Sequence, residues 1–159
     1  MLGAPGVGKT SLVRRFVSSM FSDRYQSTIG VKIDRKQVDV GDRTVNMLLW
    51  DLEGVDQYDD LRPSFLRGSA ACVFVVDSTR APTFDIALRL RGRVTEQLGE
   101  HVPMTVVLNK SDLEGDFSID PARITALVDS GCSLVRTSAL TGANVESMFE
   151  DLAARMLKR

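Results

Sequence analysis

The chain has 159 residues, with 20 lysines and arginines against 21 aspartates and glutamates and a formal net charge of −1. Its 43% hydrophobic and 26% charged content is that of one globular domain spanning residues 1–159, and the near-neutral balance excludes a global electrostatic pull toward nucleic acid or anionic membrane. No apolar run approaches the roughly 20 residues that cross a bilayer, and the N-terminus runs directly into a Gly-rich motif with no room for a signal peptide, so the sequence reads as cytoplasmic. Lipid anchoring is not expected either: Met156-Leu157-Lys158-Arg159 lacks a prenylation cysteine, and Leu2 rather than glycine follows Met1. Cys72 and Cys132 sit in apolar stretches and read as small core hydrophobes; His101, with no ligand companion at metal spacing, reads as a surface loop residue.

In chain order, Gly3-Ala4-Pro5-Gly6-Val7-Gly8-Lys9-Thr10 satisfies the G-x-x-x-x-G-K-[ST] pattern and opens directly into a predicted helix, Lys9 to about Met20, with Leu12, Val13, Phe16 and Val17 on one face. The glycines let the loop curl so that the N–H groups of Gly6 to Ser11 converge on phosphate oxygens, and the helix N-terminus adds a favourable dipole. Lys9 is expected to bridge the β- and γ-phosphates, and the Thr10 hydroxyl to bind Mg²⁺. Ser27-Thr28-Ile29-Gly30 follows in a loop, where the Thr28 hydroxyl is placed to complete the Mg²⁺ shell, unless it is an ordinary loop threonine.

Val31–Val40 and Thr44–Leu52 read as strands joined by a hairpin at Gly41-Asp42-Arg43. The second ends in Trp50-Asp51-Leu52-Glu53-Gly54, a D-x-x-G pattern in which Asp51 holds Mg²⁺ through water and the Gly54 N–H meets the γ-phosphate. Both loops would be ordered by the third phosphate and released when it leaves, which makes them the expected partner surface. Ala71–Asp77 and Met104–Leu108 are continuous apolar runs of the kind buried on both faces of a parallel sheet, Ser133–Arg136 is a weaker third, and helices are predicted over Thr83–Leu98, Pro121–Asp129 and Val145–Leu157. The alternation predicts an α/β fold with a parallel sheet, helices on both faces, and one antiparallel edge strand.

Asn109-Lys110-Ser111-Asp112 lies at the carboxyl end of a predicted strand, where open α/β sheets bind ligands. Ionised Asp112 only accepts hydrogen bonds, and guanine offers N1–H and N2–H₂ as a matched pair of donors that adenine lacks. Ala139 N–H is placed to donate to guanine O6, Ser138 to brace Asp112, and the Lys110 stem to cover one face of the base. Phe21 either meets the base edge-on or packs in the core. Against this stands a P-loop kinase or ATPase, for which only the phosphate loop argues.

The order of these motifs resembles the Ras superfamily over nearly the whole chain, and Tyr25-Gln26-Ser27-Thr28-Ile29-Gly30-Val31 with Trp50-Asp51 is most similar to its Rab branch. The resemblance implies a P-loop NTPase G domain with a six-stranded, mostly parallel sheet, Mg²⁺-dependent binding of GTP and GDP, and slow hydrolysis. It further implies effector, exchange-factor and GTPase-activating partners, with Lys9, Thr28 and Gly54 serving the hydrolytic step.

The departures are specific. Val55 stands where the family has a water-orienting glutamine, and Glu53 replaces a small alanine beside the phosphates. Gln57, Arg62 and Arg67 are candidates to compensate, or else part of a solvated helix face. Leu140 replaces a lysine whose stem packs near the base. Only Met1-Leu2 precede Gly3, where the family builds an apolar central strand, so the first strand is expected to be truncated. Two functions remain: a slow GTPase switch, or a GTP-bound interaction platform with negligible turnover.

Overall fold

A computed structural model of the chain describes residues 1–22, 28–52, 54 and 63–158. In chain order the elements are α1 (Lys9–Ser18), β1 (Val31–Val40), β2 (Arg43–Leu52), α2 (Pro63–Leu66), β3 (Cys72–Asp77), α3 (Pro82–Leu98), β4 (Met104–Asn109), a short 3₁₀ turn (Glu114–Asp116), α4 (Pro121–Asp129), β5 (Ser133–Arg136) and α5 (Val145–Leu157). Helix α1 stops two residues before Met20 because Ser19 turns left-handed (φ 55°) and its N–H closes on the Arg15 carbonyl. In the hairpin, Val40 pairs with Arg43, leaving Gly41-Asp42 as a two-residue turn with the positive φ (59°) on its glycine.

Strands β3, β4 and β5 are parallel neighbours in that order, and β1 pairs antiparallel with β2. The place of a sixth strand is held by a single bridging residue. Leu2 pairs parallel with Phe74, its N–H donating to the Val73 carbonyl and its carbonyl accepting from Val75 N, each at 2.8 Å. On its other side, the Met1 amino nitrogen donates to the Trp50 carbonyl of β2 at 2.7 Å. The Val73 carbonyl and the Val75 N–H of β3 are thereby paired.

All of β3 is buried, and its side chains alternate between two cores. Val73 and Val75 join Leu12, Phe16, Phe149 and Leu152 on the face covered by α1 and α5, where the Phe16 and Phe149 rings stack with centroids 4.1 Å apart. Cys72, Phe74 and Val76 join Phe84, Leu90, Val94 and Leu127 on the face covered by α3 and α4. Helices thus lie on both faces, and both cysteines are buried and free, as small core residues. His101 is exposed in a turn. Among the described residues, no helix is long and apolar enough to cross a membrane.

Candidate functional site

The loop between Leu2 and α1 is built on glycines, two of which leave no room for a side chain. Gly3, Gly6 and Gly8 all have positive φ (141°, 72° and 99°). A Cβ on Gly3 would stand 2.3 Å from the Val75 carbonyl oxygen, and one on Gly8 2.3 Å from Asn109 Nδ2. Gly54 lies against the same loop, where a Cβ would come within 2.5 Å of both Pro5 N and Pro5 Cα.

Three side chains hold this loop from behind through its carbonyls. Asn109 Nδ2 donates to Val7 O and Arg80 Nη2 to Pro5 O, each at 2.9 Å. The buried Lys9 ammonium donates to both Gly3 O and Ala4 O at 2.9 Å, so in this structure Lys9 closes on its own loop. In a planar trans peptide the N–H points opposite to the C=O. Clamping Pro5 O and Val7 O outward therefore aims the N–H groups of Gly6 and Gly8 the other way, into the concave side that a phosphate would fill. Ser11 N–H continues the same series in the first turn of α1.

The expected Mg²⁺ ligands converge. Thr10 Oγ1 lies 2.8 Å from Thr28 Oγ1 and donates to Asp51 Oδ2 at 2.5 Å, while Thr28 Oγ1 is 3.5 Å from the same carboxylate oxygen. Asp51 is wholly buried, and its other oxygen, Oδ1, has no hydrogen-bond partner. An orphaned buried carboxylate oxygen beside two hydroxyls is a set of hard oxygen donors that suits Mg²⁺ completed by phosphate and water. Among the described residues, no group of three or more His, Cys, Asp or Glu side chains is placed to hold a metal ion.

The base corner is assembled at the carboxyl ends of β4 and β5. Ser138 Oγ donates to Asp112 Oδ1 and itself accepts from Thr141 N at 3.1 Å, which fixes one oxygen of an otherwise exposed carboxylate. Asn109 is 1% exposed; its Oδ1 accepts from Thr137 Oγ1 and from Ala139 N, both at 3.2 Å. All of its polar capacity toward this corner serves to tie the phosphate loop to the 137–139 loop. The Ala139 N–H expected to face guanine O6 rests on that amide oxygen instead. Arg15 donates to the Ala139 and Leu140 carbonyls and lies 6.0 Å over the Phe21 ring. Phe21 is thereby held beside the base corner, and it also packs partly against the α1/α5 core. Leu140 is half exposed.

Lys110 takes a left-handed backbone (φ 64°), a conformation that costs a non-glycine residue about 1–2 kcal/mol and persists only where surroundings fix it. Its surroundings are the Leu113 N–H, which donates to the Lys110 carbonyl at 3.0 Å, the Ser111 N–H, which donates to the Thr137 carbonyl at 2.9 Å, and Asp77, whose Oδ2 accepts from Lys110 Nζ at 2.6 Å. Burial raises the carboxyl pKa of Asp77, but hydrogen bonds from Lys110, Thr79 and Arg80 outweigh that and hold it below the ordinary aspartate value. Asp77 and Arg80 are absent from the sequence-derived set. Their signal was a charged residue closing a buried apolar strand at the ligand-binding edge of the sheet. Glu53, Val55, Gln57, Arg62 and Tyr25-Gln26-Ser27 lie outside the described residues, and Arg67 is exposed just beyond α2.

Comparison with known proteins gives the family. The Ras family model matches residues 1–158. Ras-related protein RABF2b of Arabidopsis thaliana is 34% identical over 162 residues, covering 98% of this chain and 78% of the relative. Ras-related protein Rab-7a of Dictyostelium discoideum is 34% identical over 164 residues, covering 99% and 81%. With a phosphate loop, a hydroxyl–carboxylate corner and a base corner joined at one sheet edge, and these matches across nearly its whole length, the chain belongs to the Ras family of small GTP-binding proteins.

Proposed function

We propose that this chain is a cytoplasmic guanine-nucleotide switch that binds GTP and GDP with Mg²⁺ and hydrolyses GTP slowly. The observation that carries the reading is Asn109, which bonds the phosphate loop at Val7 and the base loop at Thr137 and Ala139. It locks the two recognition surfaces into one rigid distance, as a ligand with phosphates at one end and a base at the other requires.

The roles follow from the positions. The N–H groups from Gly6 to Ser11 receive phosphate oxygens, and Lys9 transfers its ammonium from the Gly3 and Ala4 carbonyls to the β- and γ-phosphates. Asp112 accepts from guanine N1–H and N2–H₂, with Ser138 holding the carboxylate. The Lys110 stem and Phe21 flank the base, with Leu140 as apolar cover. When Mg²⁺ is bound, it neutralises phosphate charge during transfer; Thr10, Thr28 and Asp51 are the residues that hold it. Gly54 presents its N–H to the terminal phosphate because its backbone approaches Pro5 with no Cβ between. Val55 carries no donor or acceptor to orient an attacking water, which supports a low intrinsic rate.

A second reading is a persistently GTP-bound platform; either reading calls for a docking face, and the hairpin offers an exposed apolar one. Ile33 of β1 pairs with Trp50 of β2, and both, with Leu48, are exposed on the outer side of the hairpin. Such a patch suits an effector, exchange-factor or GTPase-activating partner under either reading. Single-turnover hydrolysis of bound GTP, with and without Val55→Gln, separates the two. Measurable native turnover that rises with glutamine supports the switch. No turnover in either protein supports the platform, and loss of nucleotide on purification in Mg²⁺ sinks both.

A further inference from the structure

Asp77 lies one strand away from the base loop, in parallel register with Asn109. It is 1% exposed, yet it collects more cationic partners than either motif. Oδ2 accepts from Lys110 Nζ at 2.6 Å and from Arg80 Nε at 2.9 Å, while Oδ1 accepts from Thr79 N at 3.0 Å and Thr79 Oγ1 at 2.7 Å. Arg80 does not end there: its Nη2 reaches across to Pro5 O at 2.9 Å. A continuous chain of charge-assisted hydrogen bonds thus runs from the base loop through a buried carboxylate to the phosphate loop.

Two features argue that this chain does more than stabilise the fold. A buried ion pair is by itself a poor source of stability, because desolvation offsets most of the attraction. And its two ends do not grip arbitrary structure. At one end is Lys110, held in a left-handed conformation. At the other is the carbonyl whose peptide carries the Gly6 N–H into the phosphate cradle.

We infer that Asp77 and Arg80 are positioning residues of the nucleotide site, coupling the Lys110 side of the base pocket to the Pro5–Gly6 peptide and so setting how long nucleotide stays bound. The inference rests on the guanine-nucleotide reading above and deepens it. Without Arg80, Pro5 O loses its outward anchor and Gly6 N–H is free to swing from its aim. Without the Asp77 charge, Arg80 and Lys110 lose their common acceptor, and both ends of the ligand are held less firmly.

The test is the release of fluorescently labelled GDP, chased with excess GDP in Mg²⁺, for the wild-type chain, Arg80→Ala, Asp77→Asn and the double variant. Each charge-assisted bond removed should speed release about tenfold, with Asp77→Asn at least as fast as Arg80→Ala. Because both act along one chain and share the Asp77–Arg80 bond, the double variant should release more slowly than the product of the two single effects. Multiplying effects, or release from Arg80→Ala within about twofold of wild type, overturns the coupling. Arg80 is half exposed and its removal leaves Asp77 paired with Lys110, so this variant decides the matter even if Asp77→Asn does not fold. A wild-type chain that binds no GDP refutes the nucleotide reading and the coupling together, whereas normal binding with unchanged release refutes the coupling alone.

Discussion

Replacing Gly8 by alanine tests whether the phosphate loop and the base loop are one mechanical unit. The new Cβ would sit 2.3 Å from Asn109 Nδ2, a contact that real structures do not tolerate, so the amide must move. Asn109 has no slack: it is buried, bonded to Val7 O at 2.9 Å, and accepts at 3.2 Å from both Thr137 and Ala139. The cost has two parts. The left-handed backbone (φ 99°) charges an L-residue about 1–2 kcal/mol, and each buried polar group left unsatisfied adds about 1–3 kcal/mol. A total near 5 kcal/mol is a large share of a typical domain's stability of about 5–15 kcal/mol. Gly131→Ala is the control, since it shares the positive φ (79°) but would meet nothing within 4 Å. In thermal denaturation, with roughly 2–4 °C per kcal/mol at this size, Gly8→Ala should melt about 10 °C or more below wild type and Gly131→Ala only a few degrees below. Equal shifts for the two variants would refute the claim that Asn109 is rigidly held.

Three further outcomes are expected. Asp51→Asn removes the buried charge whose Oδ1 stands unpartnered; chelating Mg²⁺ should speed GDP release from wild type by at least about tenfold, and a similar response from the variant would dissociate Asp51 from the metal. Asp112→Asn replaces an acceptor pair with one acceptor and one donor, so guanine affinity should fall on the order of 10⁴-fold while xanthine nucleotide, which carries a carbonyl in place of the 2-amino group, gains; unchanged GDP binding would move base selection elsewhere. For Asp77, the folded pKa lies below its ordinary value of 3.8, so its contribution to stability is complete above that pH and is lost as pH falls through the lowered folded value. The stability difference between wild type and Asp77→Asn, read by urea titration, should be flat near neutrality and shrink below about pH 4; a gap that widens in acid would contradict this.

How much of this was legible depended on whether the signal was local. Val31–Val40, Ser133–Arg136, Pro121–Asp129 and Val145–Leu157 form as read, because each couples an apolar pattern to a turn or cap at its ends. Helix α2 and the 3₁₀ turn went unread, since four and three residues are too few for helical periodicity to register. Asn109 was placed just past its strand, yet it pairs with Asp77 and completes β4. In the site, the Thr10–Thr28–Asp51 convergence and the Ser138–Asp112 bond followed from motif chemistry. The Arg80–Pro5 bond, by contrast, joins residues 75 positions apart and exists only because β3 packs beside the loop. Lys9 resting on Gly3 and Ala4 carbonyls is a property of the loop's curl that no spacing encodes.

The division between local and long-range contacts also bears on how a switch is built from this fold. On one side of the site, the phosphate loop is held from behind by the buried Asn109 on Val7 O and the half-exposed Arg80 on Pro5 O. On the other, Thr28 reaches the metal corner by a 2.8 Å contact to Thr10 and a long 3.5 Å contact to Asp51, and the Gly54 backbone lies against Pro5. Ligand binding shifts a conformational equilibrium only by its differential contacts with the two states. On the guanine-nucleotide reading proposed above, the firmly held half would receive the phosphates common to GDP and GTP, and so would have little to report. On that same reading, Thr28 and Gly54 stand where one additional phosphate would change the balance, by adding charged contacts there.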